Sequence, residues 1–442
     1  MSRQDEMDSK SEQLYALYKK VTPGGVQSNF RTDVQHPSYF SRGKGPYVTD
    51  VDGNEYLDFI VGYGSLILGH GDKDVYNSVA ETLQNGLVSG YETDLSYEVA
   101  SIVRRMIPSA KRVRFANSGT EAVMHSLHMT RAFTSRQKIM KFEGCYHGWY
   151  DSIAFNHAPP VNRTASQRFC KPVPDFYGLS SHSEDDIVVS PYNDTESARN
   201  NIRDFKNELA AVIVEPVAFN MGCVIPSSEF IHVLREETEK YSIPLIFDEI
   251  ITGFRISPGG AQRFFKVTPD ISVFGKAIAN GFPLSAVTGR EDIMEIASPG
   301  GKTAYAGTYN GNQVSLSACR ATLSKIRDGK VQEYFKTKTK LIGKRVGEIS
   351  EELKIPVRFQ GLGGQFQVYF TDGEVYDYIS AASTDRELYA KFRRNLHAQR
   401  VLFHPSYMFH HGITYSHTEK VIEKFLSRFK LALNAVVKAG TP

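Results

Sequence analysis

Apolar and polar positions divide the chain into three regimes. In the middle, strand-like runs at 111–116, 138–142, 209–216, 244–250 and 269–274 alternate with loops and with helical periodicity at 117–133 and 228–241. The largely apolar runs among them, at 209–216, 244–250 and 269–274, separated by helices, predict a mostly parallel sheet with right-handed crossovers. Upstream, a helix is predicted over 9–20, stopped by Thr22-Pro-Gly-Gly25, and an extended run follows that leaves Arg31 on irregular backbone. Residues 47–59 alternate on both sides of Asp52-Gly53, the signal of a hairpin. A glycine-rich loop around His70 comes next, then helices over 74–84 and 97–106. Downstream, helices are predicted over 313–326, 331–353, 384–399 and 418–435, with one strand after a flexible turn in 361–370. The span 151–187 has little periodicity, and a loop of that length is expected to be a lid, a binding loop or disordered.

These elements place the chain in the α/β class. At 442 residues it exceeds one typical core. Two lobes are therefore expected: an N-terminal segment of a small lobe at 1–75, a large domain at 76–330 and a C-terminal small domain at 331–442. Lysine plus arginine total 52 against 49 acids, a balance that calls for neither nucleic acid nor a membrane surface as partner. No run approaches about eighteen apolar residues, the first ten residues lack an apolar signal core, and the four cysteines show no CxxC. A cytoplasmic protein in a reducing compartment is the expectation.

Two segments carry chemistry. Pro244-Leu-Ile-Phe-Asp-Glu-Ile250 is an apolar strand ending on two acids, and Val273-Phe-Gly-Lys-Ala-Ile-Ala279 presents Lys276 after a glycine. Catalysis with pyridoxal phosphate (PLP) needs an amine to condense with the aldehyde and a carboxylate to keep the pyridine nitrogen protonated in a dry site. Lys276 and Asp248 fit those roles; the same segments also fit an ordinary strand with a capping acid and a surface lysine. Glu215, Asp248 and Lys276 all fall at strand ends, on the edge where such sheets bind ligands. Asn117-Ser-Gly-Thr-Glu121 turns a strand into a helix N-terminus, a ready anion site: Gly119 permits close approach, and Ser118 and Thr120 offer hydroxyls. Ser118 as a plain helix cap also fits. Tyr146, followed by a histidine, can cover one face of a flat cofactor or simply pack in the core. The four histidines between 404 and 417 lack a paired cysteine or HExxH context, so packed or solvated imidazoles are expected there and no metal.

With these pieces placed, the chain resembles, over nearly its whole length, the class III, fold-type I PLP-dependent aminotransferases, most closely the glutamate-1-semialdehyde 2,1-aminomutase subgroup. The resemblance rests on Pro23-Gly-Gly-Val26 with Arg31, Asp52-Gly53, Leu68-Gly-His70, Ser118-Gly-Thr-Glu-Ala122, Phe142-Glu-Gly-Cys-Tyr-His-Gly148, Glu215-Pro-Val217 with Asn220, Asp248-Glu-Ile250, Gly275-Lys276, Gly307-Thr308 and Ser416-His-Thr418. It implies a large domain with a mostly parallel, seven-stranded-type sheet flanked by helices, plus a small α+β lobe from both termini. It implies PLP as cofactor, with Lys276 as the Schiff-base lysine and proton shuttle and Asp248 as the pyridinium partner. Ser118, Gly119 and Thr120 match the phosphate cradle, Tyr146 the aromatic stacked on the ring, and Ile250 the apolar residue on its other face. Glu215 and Asn220 match positions near the ring hydroxyl and the site edge. Thr308 is similar to the residue that reaches the phosphate from the neighbouring subunit, so a homodimer is implied. Arg31 corresponds to the arginine that holds a substrate carboxylate in the aminomutase subgroup.

Departures bear on the substrate. The aminomutase pattern carries a glutamate where Pro405-Ser-Tyr-Met-Phe409 places Phe409, and the segment after the lysine reads Ala279-Asn-Gly281 in place of a glycine pair. Trp149 and Tyr150 add bulk where that loop is usually smaller, which points to an altered lid or pocket and makes Trp149 a candidate substrate contact. The expected activity is ping-pong transamination between a small-molecule amino donor and a carbonyl acceptor. The aminomutase isomerisation is the alternative, and a non-catalytic PLP-fold binding protein the remote one.

Overall fold

The computed structural model describes residues 9–31, 38–161 and 170–440. Its first helix, Lys10–Tyr18, starts where Ser9 and Glu12 form a reciprocal capping box. Strands β1 (Phe40–Lys44), β2 (Tyr47–Asp50) and β3 (Glu55–Asp58) follow as an antiparallel meander. The β2–β3 hairpin turns at Asp52-Gly53, with Gly53 at φ +86° and the Asp50 carboxylate accepting from the N–H groups of Asp52 and Asn54.

The central sheet comprises β4 (Arg112–Ala116), β5 (Lys138–Phe142), β6 (Ile187–Ser190), β7 (Leu209–Val214), β8 (Leu245–Glu249), β9 (Ile271–Phe274) and β10 (Ser285–Gly289). Their order is β4-β10-β9-β8-β7-β5-β6, and in this sheet only β10 runs against its neighbours. Alternate residues of one strand enter different cores: Val212, Val214 and Phe247 join one cluster, Ala211, Ile213 and Ile246 another. Both faces are thus buried, which is why β7 is apolar throughout and β8 as far as Phe247. The pattern had no place for β6, four residues at the end of the aperiodic span, or for β10, whose Ser, Thr and Gly interrupt any apolar run.

After the helix Lys330–Leu353 the chain forms β11 (Arg358–Leu362), β12 (Gln365–Tyr369), β13 (Val401–Leu402) and β14 (His411–Gly412). Where one strand was expected at 361–370 there is a hairpin, β11 against β12, turning at Gly363-Gly364 with φ +61° and +78°. Strand β13 pairs in parallel with β3, Val401 opposite Leu57, so N-terminal and C-terminal segments share one sheet and build the small lobe together. Phe59, Phe366, Phe403 and Phe425 pack beneath it, Phe59 and Phe425 at 4.2 Å between centroids.

Of the span 151–187, residues 162–169 lie outside the described residues. The rest is irregular yet anchored: Ile153, Ala154 and Phe155 are buried, Phe155 bridges to Pro174 and Cys170 to Val189. Among the described residues no helix is long and apolar enough to cross a membrane.

Candidate active site

The C-terminal ends of β4, β7, β8 and β9 open on one cavity of about 310 Å3, lined by Gly119, Thr120, Tyr146, Glu215, Asn220, Asp248, Ile250 and Lys276 among others. A parallel strand delivers the residue that follows it to this edge whatever the chain does next, so the expected acids and lysine converge. Lys276 itself has φ +47°, a left-handed conformation uncommon outside glycine. Its turn is held by Asn280, whose Oδ1 accepts from the N–H groups of Ile67 (3.0 Å) and Leu68 (2.9 Å) and whose Nδ2 donates to the Gly69 carbonyl. Asn280 thus ties the lysine turn to the loop before His70. Burial pushes the Lys276 amine down to about 8, against the Glu215 and Asp248 charges, which act to raise it.

Strand alternation separates the two acids of β8. Asp248 faces the cavity; its Oδ1 accepts from the Ile250 N–H (3.1 Å) and its Oδ2 lies 2.7 Å from Nδ1 of the fully buried His147. Burial lowers the His147 pKa, so Asp248 accepts from a neutral imidazole, and the other ring nitrogen, Nε2, is buried without a partner. Glu249 points the other way and accepts from the Ala261 N–H (2.5 Å) and the Thr252 hydroxyl (3.0 Å). Glu215 is a brace: Oε1 accepts from the Tyr146 N–H (2.8 Å) and Asn220 Nδ2 (2.9 Å), and Oε2 from the Phe219 N–H (3.2 Å). Burial pushes its carboxyl up to about 7. Lys141, fully buried, donates to the carbonyls of Cys145 and Phe155 and so fixes the loop that carries Tyr146 and His147.

At the start of the helix Gly119–Thr134, Ser118 takes the capping role. Ser118 does not line the cavity: its Oγ accepts from the Glu121 N–H, its own N–H donates to Glu121 Oε2, and its carbonyl accepts from Ser285 Oγ. The capping box therefore consumes Ser118 and leaves the N–H groups of Gly119 and Thr120 at the cavity wall. A Cβ on Gly119 would stand 3.2 Å from Ile250 Cδ1, and one on Gly275 at 2.9 Å, so Ile250 closes over two glycines.

A second cavity of about 180 Å3 shares Tyr146, Asn220 and Lys276 with the first and adds Ser28, Phe30, Arg31, Tyr63, His157 and Phe409. Arg31 is exposed. Phe409 is stacked between His404 (4.3 Å) and His410 (4.6 Å), with Tyr63 edge-on at 5.4 Å. Burial holds His157 down at about 4, so this cavity is aromatic and uncharged apart from Arg31 and Lys276.

Trp149 and Thr308 lie outside both of these cavities. Trp149 lines neither cavity and is 68% exposed; the preceding Gly148, at φ +98°, packs against Thr120 and turns the chain outward. Its neighbour Tyr150 hydrogen-bonds His128 Nε2 at 3.0 Å and packs on the core, so neither aromatic bulks out the pocket of this chain. Thr308 sits in a separate surface cavity with Tyr91, Tyr305 and Tyr309. Residues the sequence did not single out are His147, whose one signal was its place beside Tyr146, and Tyr63 and His157, which nothing local marks.

A lysine, a carboxylate and a helix N-terminus converging on the C-terminal edge of a mostly parallel seven-stranded sheet define a PLP-dependent enzyme of fold type I. Residues 30–421 match the family described as Aminotransferase class-III, and the chain belongs to that family. It is 39% identical over 427 residues to a glutamate-1-semialdehyde 2,1-aminomutase of Aquifex aeolicus (strain VF5), covering 96% of this chain and 99% of the relative. Among solved structures, an omega-transaminase from Sphaerobacter thermophilus superposes with a TM-score of 0.92 at 31% identity, covering 98% of both chains. A β-phenylalanine aminotransferase from Variovorax paradoxus superposes with a TM-score of 0.85 at 26% identity, covering 97% of this chain and 94% of that one.

Proposed function

We propose that this chain is an intermolecular transaminase, passing an amino group from a bulky, carboxylate-bearing amino donor to a carbonyl acceptor in two half-reactions. The observation that carries this reading is the second cavity, where Phe409 rather than an acid stands with Arg31 beside Lys276. An aminomutase must retain a small polar intermediate, whereas an aromatic wall favours a larger, less polar substituent. The likeness to the Sphaerobacter omega-transaminase and the Variovorax β-phenylalanine aminotransferase supports it.

The residues present fit PLP, which when bound supplies an electron sink that acidifies the carbon bearing the amine and stores the amino group between half-reactions. Gly119 and Thr120 would hold the phosphate at the helix N-terminus, Asp248 the ring nitrogen, and Tyr146 and Ile250 the two faces of the ring. His147 fixes the Asp248 carboxylate, and Glu215 fixes Tyr146 and Asn220. Lys276 anchors the cofactor and carries the proton of the reacting carbon, a role suited to an amine with a pKa near about 8. Arg31 grips the substrate carboxylate with its planar fork.

The working unit in this reading is a homodimer in the cytoplasm, with 1–75 and 331–442 forming the small lobe about a large domain at 76–330. Support for the dimer comes from Thr308, which lines a surface cavity separate from that of Lys276, and from the exposed Leu87, Val88, Tyr91 and Tyr309 around it. The aminomutase reading is favoured by the 39% identity to the Aquifex enzyme and by Arg31. Purified enzyme offered glutamate 1-semialdehyde with no second donor or acceptor decides between them. Turnover only with a separate donor and acceptor supports transamination; efficient conversion to 5-aminolevulinate overturns it.

A further inference from the structure

Arg255 is the bulkiest of the fully buried side chains and makes no ion pair among the described residues. A buried guanidinium without an acid is costly, so what its fork holds matters. Nε and one terminal nitrogen donate to the Gly64 carbonyl at 3.2 and 2.9 Å; that terminal nitrogen also reaches the Leu66 carbonyl at 2.8 Å, and the other reaches Ile413 at 3.4 Å. Gln365, its amide oxygen turned toward the guanidinium, accepts from Nε at 3.2 Å and from the second terminal nitrogen at 2.9 Å.

Two of those carbonyls close a strained segment. Val61, Gly62, Tyr63 and Gly64 have φ of 45°, 61°, 58° and 85°, a full turn of left-handed backbone in which a β-branched valine is rare. Its internal bonds are few: Tyr63 N–H to Ile60, Ser65 N–H to Gly62 and Leu66 N–H to Val61, with Asp58 Oδ1 accepting from Ile60 and Val61, while the Tyr63 hydroxyl donates to the Phe30 carbonyl at 2.8 Å. Gly64 is wedged, since a Cβ there would lie 3.2 Å from His410 Nε2. The turn presents Tyr63 to the cavity that holds Arg31 and Phe409, and Ser65 to the cavity that holds Asp248.

We propose that Arg255 is a positioning residue for the substrate cavity: its fork clamps the left-handed turn Val61–Gly64 and so fixes where the Tyr63 ring stands opposite Phe409. This rests on reading the cavity around Arg31 as the substrate's. Lysine keeps the charge but offers a point donor on a flexible stem, which cannot hold carbonyls on several sides of a plane.

The test is Arg255→Lys in the PLP holoenzyme, followed through the cofactor's visible absorbance with racemic 3-amino-3-phenylpropanoate and, separately, glutamate 1-semialdehyde as probes. Half-saturation by the probe that reacts is expected to rise about tenfold, the scale on which losing an aromatic contact in the substrate's wall weakens binding. The limiting rate should stay within about threefold and the cofactor content unchanged. Half-saturation equal to wild type, or rate and cofactor lost in equal proportion, overturns the proposal. Should Arg255→Lys not fold, Gln365→Leu, which removes the oxygen that accepts twice from the fork and leaves Arg255 and Tyr63 in place, decides: weaker saturation at unchanged rate supports it and unchanged saturation overturns it. A wild-type enzyme that answers only to glutamate 1-semialdehyde overturns the transaminase reading while the Arg255→Lys ratio still judges the clamp; one that answers to neither overturns both.

Discussion

The Lys276 amine lies among Glu215, Asp248 and the buried Arg255, and burial holds its pKa at about 8. Attack on an aldehyde needs the neutral amine. At pH 7 about one lysine in ten would be neutral, against about three in ten thousand for an ordinary lysine. The rate at which apoenzyme couples to PLP should therefore climb about tenfold per pH unit to a bend near about pH 8 and level off above it. Glu215→Gln gives the perturbation its sign. The Glu215 charge raises the lysine pKa, so its removal moves the bend to lower pH. Below about pH 7 the difference between variant and wild type shrinks, because burial pushes Glu215 itself up to about 7 and the wild type protonates there. Glutamine keeps an oxygen for the Tyr146 N–H and Asn220 and turns its NH2 on the Phe219 N–H, losing the 3.2 Å bond at a cost of about 1 kcal/mol. The variant should fold. Stopped-flow absorbance of apoenzyme mixed with PLP, from about pH 6 to about pH 10, reads the bend. A bend at the pH of an exposed lysine, or one that Glu215→Gln moves upward, would refute the reasoning.

Arg31→Ala should raise KM for a carboxylate-bearing donor by about tenfold to a hundredfold, the worth of a charged hydrogen-bonded pair, while an amine lacking the carboxylate keeps its KM; steady-state kinetics on the two donors compares them. Sedimentation at assay concentration should find a dimer, and Thr308→Ala should weaken PLP retention in dialysis without dissociating it; a fully active monomer would contradict this. Gly119→Val should impair cofactor retention, because its Cβ starts 3.2 Å from Ile250 Cδ1, and Ile250→Ala should restore part of the loss, read as PLP content per chain.

What the sequence determined by itself is whatever a strand and its next residue decide. Apolar runs with helices between them set a parallel sheet, and such a sheet carries Glu215, Asp248 and Lys276 to one edge without knowledge of the neighbouring strands. Alternation along a strand even separates Asp248 from Glu249, though which of the two faces the cavity depends on the sheet around them. The tertiary structure decided what depends on partners far along the chain. Strand β10 has no apolar run of its own and exists through pairing with β4 and β9; β13 is two residues long and exists through pairing with Leu57 and Asp58. Ser118 had two fates open to it, and Glu121 at the third helical position won it for the cap. Trp149 looked like a pocket wall and turned outward at Gly148, while Arg31 and Phe409, 378 positions apart, met beside Lys276. No local pattern encodes such meetings, because they follow from how packed layers and buried hydrogen bonds share out side chains that each have more than one place to go.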